Sequence, residues 1–552
     1  MFIDDSTSTR HGKTYRRVLL RNSYRINGKV RHDTLANLSQ CSDEEIAALK
    51  LALQHKGRLV ELGTLKEPIA AQQGLGFGAV WVLNHLAKRL GITQALGHSR
   101  MAALVHGLVF ATIIAPGSRL SAVRLAQRHA VCDILHLDSF NEEDLYQAMD
   151  WLAERQSAIE QALFSHRYQA QGQPPALYLY EVTSSYLEGE HNELADYGYN
   201  RDGKKGKKQI VIGLLTDEQG WPVTVEVFAG NTQDPKTVKS QIDKLAQRFG
   251  VKNVTFVGDR GMLKSLQISD LNASDFHYIT AITKPQIEAL IRSELLQWSL
   301  FDEQLVEVVD DNIRYILRRN PMRAQELAAT RQSKLQRLQR LMDECNSYLA
   351  AHPKARVDTA LRKGQDKAEK LKIHTWIDIQ VKGRKLIIEI DEDEINNAAR
   401  LDGCYVIKTD LSAELASTET VHARYQGLAE VEFAFRTMKT TLLEMRGIFV
   451  RKAERTRAHV FIIMLAYLLA YHLRRCWSDV ELTVEEGIAE LASICTMALI
   501  MPNNVTCQII PEPRPLGKRL LERVDVTLPD AIPHRNISVV TRKRLVSERK
   551  VS

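Results

Sequence analysis

The chain has 552 residues, too many for one small core, and its length suggests about three or four domains. A hydrophobic content of 44% with 26% charged residues is that of an ordinary soluble globular protein and sets aside disordered and fibrous classes. The excess of 74 Lys and Arg over 67 Asp and Glu is small, so the placement of the cations matters more than their number.

From Arg10 to Arg31, "RHGKTYRRVLLRNSYRINGKVR" holds eight Lys or Arg and no acid. Asn27-Gly28 between two alternating runs predicts a hairpin, so residues 1–40 read as a basic β-hairpin arm carrying Arg16, Arg17, Arg21 and Arg25 toward a polyanion. Residues 41–173 read as a mainly helical region, because "DEEIAALKLALQ", "GAVWVLNHLAKRLG" and "RLSAVRLAQRHA" share helical periodicity; "QGQPP" then marks a linker. Three β-rich runs follow, "ALYLYEVTSSYLE", "KQIVIGLLTD" and "WPVTVEVFAG". A helix capped by Asp234 comes next, then "NVTFVGDRG" as a strand ending in Asp259 and "FHYITAIT" as a fifth strand.

Three antiparallel strands, a helix and a strand ending in an acid describe an RNase H-like α/β core, spanning 174–285 and resuming at 401–480. Residues 286–400 interrupt it as an inserted α+β domain, and 481–552 form a C-terminal region. "RDGKKGKK" (Arg201 to Lys208) and "TRKRLVSERK" (Thr541 to Lys550) are further basic concentrations, the last suiting a solvated tail.

The seven cysteines form no CxxC pair, which argues against a zinc site or a disulfide framework and for a reducing compartment. No signal peptide opens the sequence, and "VFIIMLAYLLAY" (Val460 to Tyr471) is too short to span a bilayer, so a buried helix and a cytoplasmic location are expected. His191, His277 and His459 share no ligand spacing and receive no role.

In "RYQGLAEVEFAFRTMKT", Leu428, Val431, Phe435, Met438 and Leu442 form an apolar helical stripe. At about 100° per residue, Tyr425, Glu432 and Lys439 fall together at its border. Glu181, Asp259 and Glu432 are then three carboxylates placed on a first strand, a neighbouring strand end and a helix packed on the sheet. Phosphoryl transfer on DNA uses two divalent ions about 3.5 to 4 Å apart, and carboxylates are suitable hard ligands for them. The alternatives are a solvent-facing strand residue for Glu181, a turn residue for Asp259 and a solvated helix edge for Glu432.

"YEVTSSYLEG", "VGDRG", "GNTQDPKT", "FRTMK" and the spacing of Tyr425, Leu428, Glu432 and Lys439 resemble the DDE transposases of bacterial insertion sequences, in the group with a Y-x2-R-x3-E-x6-K signature. The resemblance covers about Tyr178 to His459. It implies that Glu181, Asp259 and Glu432 are catalytic and hold two Mg²⁺ ions, with Mn²⁺ as a substitute. It implies DNA cleavage at terminal inverted repeats and strand transfer to target DNA, by a homodimer acting in the bacterial cytoplasm at the nucleoid. Tyr425 and Lys439 would contact DNA phosphates, and the insertion would help handle the cut end; Trp298 and Trp376 are stacking candidates there, against the commoner reading of buried tryptophans.

Two positions depart from the family pattern. The first acid is Glu181 rather than Asp, and the signature Arg is Leu428, for which Arg436 is the substitute on nearly the same helix face. A catalytically impaired end-binding protein is therefore the alternative to an active enzyme, and a structure-selective nuclease is a third reading.

Overall fold

Alternation of polar and basic side chains at the amino terminus builds three strands, β1 (Phe2–Arg10), β2 (Lys13–Ile26) and β3 (Lys29–Asn37), in an antiparallel sheet of that order. The expected hairpin is thus a three-stranded sheet. Its first strand, "FIDDSTSTR", has no apolar face to announce it, and brings Asp4 and Asp5 beside the cations of β2. This is a computed structural model describing residues 1–10, 13–26, 29–54, 70–169, 172, 174–199, 201–204, 206–439, 442–445, 448–500 and 506–530. The Asn27-Gly28 turn and the basic run 541–550 lie outside the described residues.

The sheet and helix Asp43–Gln54 belong to one unit, Met1–Gln73 with Met497–Gln508. The other unit comprises Gly74–Thr496 and Ile509–Ser552. β4 (Ala70–Gly76) precedes the helices Gly78–Arg89, Arg100–Ile114 and Glu142–Gln169. The strands that follow are β5 (Leu177–Tyr186), β6 (Gln209–Asp217), β7 (Pro222–Phe228), β8 (Thr255–Gly258), β9 (His277–Ala281), β10 (Val306–Asp310), β11 (Ile313–Arg319), β12 (Ile377–Lys382), β13 (Lys385–Ile390) and β14 (Cys404–Thr409). The last two, β15 (Cys495–Ile500) and β16 (Thr506–Ile509), form a small sheet of order β16-β15-β4.

Eight strands make one mixed sheet of order β10-β11-β14-β9-β8-β5-β6-β7. β5, β8 and β9 run parallel, and β6, β7, β14, β11 and β10 are antiparallel to their neighbours. The fold is therefore mixed α/β around one large mixed sheet.

Packing crosses two of the expected domain boundaries. Helices between Gly78 and Gln169 share one hydrophobic cluster with β5, β6 and the helix Leu428–Lys439. The link is the helix Ala453–Cys476, apolar on nearly every side and for that reason buried between the helices and the sheet. It is longer than the run Val460–Tyr471 and is long and apolar enough to cross a membrane, but most of it is buried inside the protein. Within 286–400, β10 and β11 extend the central sheet beside β14, whereas helices Pro321–Ala351 and Val357–Leu371 gather with β12 and β13 around Leu338, Met342 and Trp376. Trp376 is buried in that cluster, and Trp298 is 41% exposed under the Arg400 guanidinium.

Candidate active site

Side-chain alternation decides where Glu181 points. Leu177 and Leu179 on β5 enter the cluster that includes helix Leu428–Lys439, while Tyr178, Tyr180 and Val182 enter the cluster on the opposite face. Glu181 continues the odd-numbered series and so faces the helix. On β8, Val257 shares that face and Phe256 the other, and Asp259 follows with the parity of Val257. Because β5 and β8 are parallel with Tyr180 opposite Gly258, the next positions on each strand are Glu181 and Asp259.

The third acid comes from a helix that the sequence shows as continuous and the structure shows as broken. Thr418–Gln426 ends at Gly427, and a new helix spans Leu428–Lys439. Glycine lacks a side chain to stabilise a helix interior. A β-carbon at Gly427 would lie 3.6 Å from Leu179 of β5 and 3.0 Å from the Arg424 carbonyl, so the break is also the point of close approach to the sheet. Leu428, Val431, Phe435 and Met438 are buried as the periodicity predicts, with Ala434 buried among them; Leu442, expected in the same stripe, lies beyond the helix end and is half-buried, and Glu432 is exposed beside the stripe. Tyr425 lies on the preceding helix, and it lines the same pocket as Glu432 across the break.

Glu181, Asp259 and Glu432 line one pocket of about 310 Å³, walled by Tyr425, Leu428 and Ala429 and reached by Asn320 and Tyr405. Burial, then the Glu432 carboxylate, then that of Asp259 push the Glu181 carboxyl up to about 8. Glu181 Oε2 is buried with no hydrogen-bond partner among the described residues. Asp259 Oδ1 accepts from the Tyr425 hydroxyl at 3.1 Å and from the Arg260 backbone N–H at 2.6 Å. Burial, followed by the Asp259 charge, raises the Tyr425 phenol well above its ordinary range. Among the described residues no three His, Cys, Asp or Glu side chains already stand at metal-ligand spacing; the three carboxylates share the pocket.

The expected DNA contacts are placed differently from one another. Lys439, expected to contact a DNA phosphate, is buried with its ammonium 3.0 Å from the buried Asp202 carboxylate. Arg436 is exposed on the same helix, and Leu428 is buried. Arg201 pairs with Asp234, which is the first residue of its helix rather than the cap; Gln233 occupies the cap position. In the amino-terminal sheet, Arg16 bonds Asp5 at 2.9 Å and pairs with Asp43, and Arg21 bonds Asp4 at 2.7 Å. Arg17 and Arg25 are exposed. Asp202 was hidden in the sequence as one acid within the basic run "RDGKKGKK", and Asn320 and Tyr405 carried no signal because strand pairing alone brings them to the pocket.

The family described as Transposase DDE domain matches residues 175–469, more than half of the chain. The chain belongs to the DDE transposases. The description IS1634 family transposase, N-terminal domain, matches residues 3–64, which makes this a transposase of the bacterial insertion-sequence type. As a DDE transposase it is a DNA-cleaving enzyme of a divalent-metal-dependent class. No curated protein matches the transposase. Among solved structures, a piggyBac transposase synaptic complex with hairpin DNA aligns at 8% identity and a TM-score of 0.36, over 71% of this chain and 70% of that one. A Mos1 transposase paired-end complex with left transposon end aligns at 10% identity and a TM-score of 0.14, over 27% of this chain and 52% of that one.

Proposed function

We propose that Glu181, Asp259 and Glu432 are the catalytic carboxylates of the transposase and hold two Mg²⁺ ions, for which Mn²⁺ substitutes. The observation that carries this reading is the shared pocket, in which Glu432 and Asp259 both act on the buried Glu181 carboxyl. Three carboxylates, one with an unused buried oxygen, are a hard donor set that fits divalent cations. Two such ions would supply activation of the attacking oxygen and charge stabilisation on the leaving oxygen.

The chain's own residues position the reactants. Parallel pairing of β5 and β8 sets Glu181 beside Asp259, and the buried stripe of Leu428–Lys439 docks the helix so that Glu432 stays at the pocket. Tyr425 orients the Asp259 carboxylate by donating to one of its oxygens. Arg436, in place of the missing signature arginine, and the exposed Arg17 and Arg25 bind DNA phosphates. Water attacks a phosphodiester at the terminal inverted repeats, leaving a 3′-hydroxyl and a 5′-phosphate; that 3′-hydroxyl then attacks a phosphodiester of target DNA and displaces its 3′-oxygen as a new 3′-hydroxyl.

In this reading, residues 174–285 and 401–480 form an RNase H-like core, 286–400 an inserted domain and 481–552 a C-terminal region. A homodimer acts on double-stranded DNA in the cytoplasm. Asp259→Ala and Glu432→Gln each abolish metal-dependent cleavage of an end duplex while end binding persists, since DNA affinity comes mainly from basic groups elsewhere. Cleavage retained by either variant removes that residue from the site.

A further inference from the structure

A second pocket, of about 480 Å³, lies among the amino-terminal helices of the larger unit and contains none of the three carboxylates. It is lined by Lys88, by Thr93, by His98 and Ser99 at the start of the fifteen-residue helix Arg100–Ile114, and by His106 about two turns further along. We propose that this pocket binds a phosphate ester.

His106 is 4% exposed, yet neither of its ring nitrogens has a hydrogen-bond partner among the described residues. Buried polar atoms are almost always partnered, so a buried ring with two unused nitrogens facing a cavity points to a group supplied from outside. The Thr93 hydroxyl is likewise buried and unpartnered among the described residues. Both can donate to an oxyanion.

The surroundings select an anion. Ser99 caps the helix by accepting from the Ala102 N–H at 3.2 Å, and the positive end of the helix dipole opens at this point. Lys88 and His98 stand at the exposed rim. Burial above all, then Lys88 and His98, lower His106 to about 4, which leaves a neutral ring with one N–H donor on the pocket floor. Arg100 is held by Asp144 at 3.1 Å, and Asp138 also lines the pocket, so the Lys88 ammonium is set against one acid at the rim. The cavity is in the range of small-ligand sites, roughly 300–1,000 Å³, and admits more than a bare phosphate. The same chemistry is presented by a DNA backbone phosphodiester and by a free mononucleotide.

The test uses the full-length transposase with a chelator present, so its outcome is independent of the carboxylate assignment. Thermal unfolding is followed in dAMP and in inorganic phosphate against potassium chloride of equal ionic strength, for the natural protein, His106→Leu and the surface variant Lys88→Ala. A rise in Tm with phosphate or dAMP that both variants lose by at least half is expected. The salt dependence of end-duplex binding is measured in parallel. A log-log slope lowered by about 0.9 in Lys88→Ala assigns the pocket to a DNA phosphate, and an unchanged slope in Lys88→Ala together with loss of at least half of its Tm response assigns it to a free phosphate ester. If Lys88→Ala keeps the natural protein's Tm response and the natural salt slope, the pocket binds no phosphate and the proposal is overturned.

Discussion

The Tyr425 hydroxyl lies 3.1 Å from Asp259 Oδ1, joining the helix before Gly427 to the end of β8. A donor bonded to a carboxylate fixes which way that carboxylate turns, and the loss of such partners typically costs about 10- to 100-fold in metal affinity or activity. Tyr425→Phe should therefore raise the metal concentration needed for half-maximal cleavage by about that factor, with little change in Tm. An unchanged metal titration would show that Tyr425 does not orient Asp259 for the reaction.

Lys439 and Asp202 form a buried pair at 3.0 Å. Removing one member of a buried pair leaves an uncompensated charge, at a cost of about 3–5 kcal/mol. Lys439→Met should lower stability to urea by that order, and Lys439→Met with Asp202→Leu should recover much of the loss. A phosphate contact behaves otherwise: stability is kept and the log-log salt slope of DNA binding falls by about 0.9. The second pattern would restore Lys439 to the DNA surface.

The four arginines of the amino-terminal sheet divide by partner. Arg16 and Arg21 are bonded to acids of β1, and the Arg16 and Lys50 side chains hold Asp5 well below the usual carboxylate range. Arg17→Ala with Arg25→Ala should flatten the salt dependence of end binding by about 0.9 per lost contact, and Arg16→Ala with Arg21→Ala should flatten it less. Equal slopes for the two double variants would mean that the ion pairs open when DNA binds.

Much of the second unit was legible in the sequence because its signals are local. The alternating runs of β5 to β9 and the stripe Leu428, Val431, Phe435, Met438 each report their own geometry. What was hidden depends on partners distant in sequence. β1 has no apolar face and is defined by pairing with β2; β10 and β11 join the central sheet only through β14; Lys439 reads as a solvated cation until Asp202 is seen beside it. The helix break at Gly427 had a local cue in the glycine itself, and the continuity of the apolar stripe masked it.

His459 is buried beside Arg119, and burial, aided by that guanidinium, pulls its imidazole down to about 3. In the unfolded chain it titrates near the ordinary value of about 6.5. Between those values the unfolded state takes up a proton that the folded state refuses, so stability is complete above about pH 6.5 and falls as pH drops toward 3. The urea midpoint should be lower at pH 5 than at pH 7, and His459→Gln should show a smaller drop. His106, lowered in the same direction, leaves part of the effect in that variant.

Glu181 carries the claim that the pocket is a catalytic metal site. Its side chain is one methylene longer than the Asp expected from the family pattern, and a misplacement of about 1 Å can cost on the order of a hundredfold in rate. Mg²⁺ is stricter than Mn²⁺ about octahedral geometry and short oxygen distances, so Mn²⁺ should favour the natural protein. The decisive measurement is single-turnover cleavage of a transposon-end duplex by the natural protein, Glu181→Asp and Glu181→Ala, each in Mg²⁺ and in Mn²⁺. Glu181→Asp should cut faster than the natural protein, with the larger gain in Mg²⁺, and Glu181→Ala should not cut. If Glu181→Ala cuts as well as the natural protein and Glu181→Asp is no faster, Glu181 is a strand residue and the first metal ligand lies elsewhere.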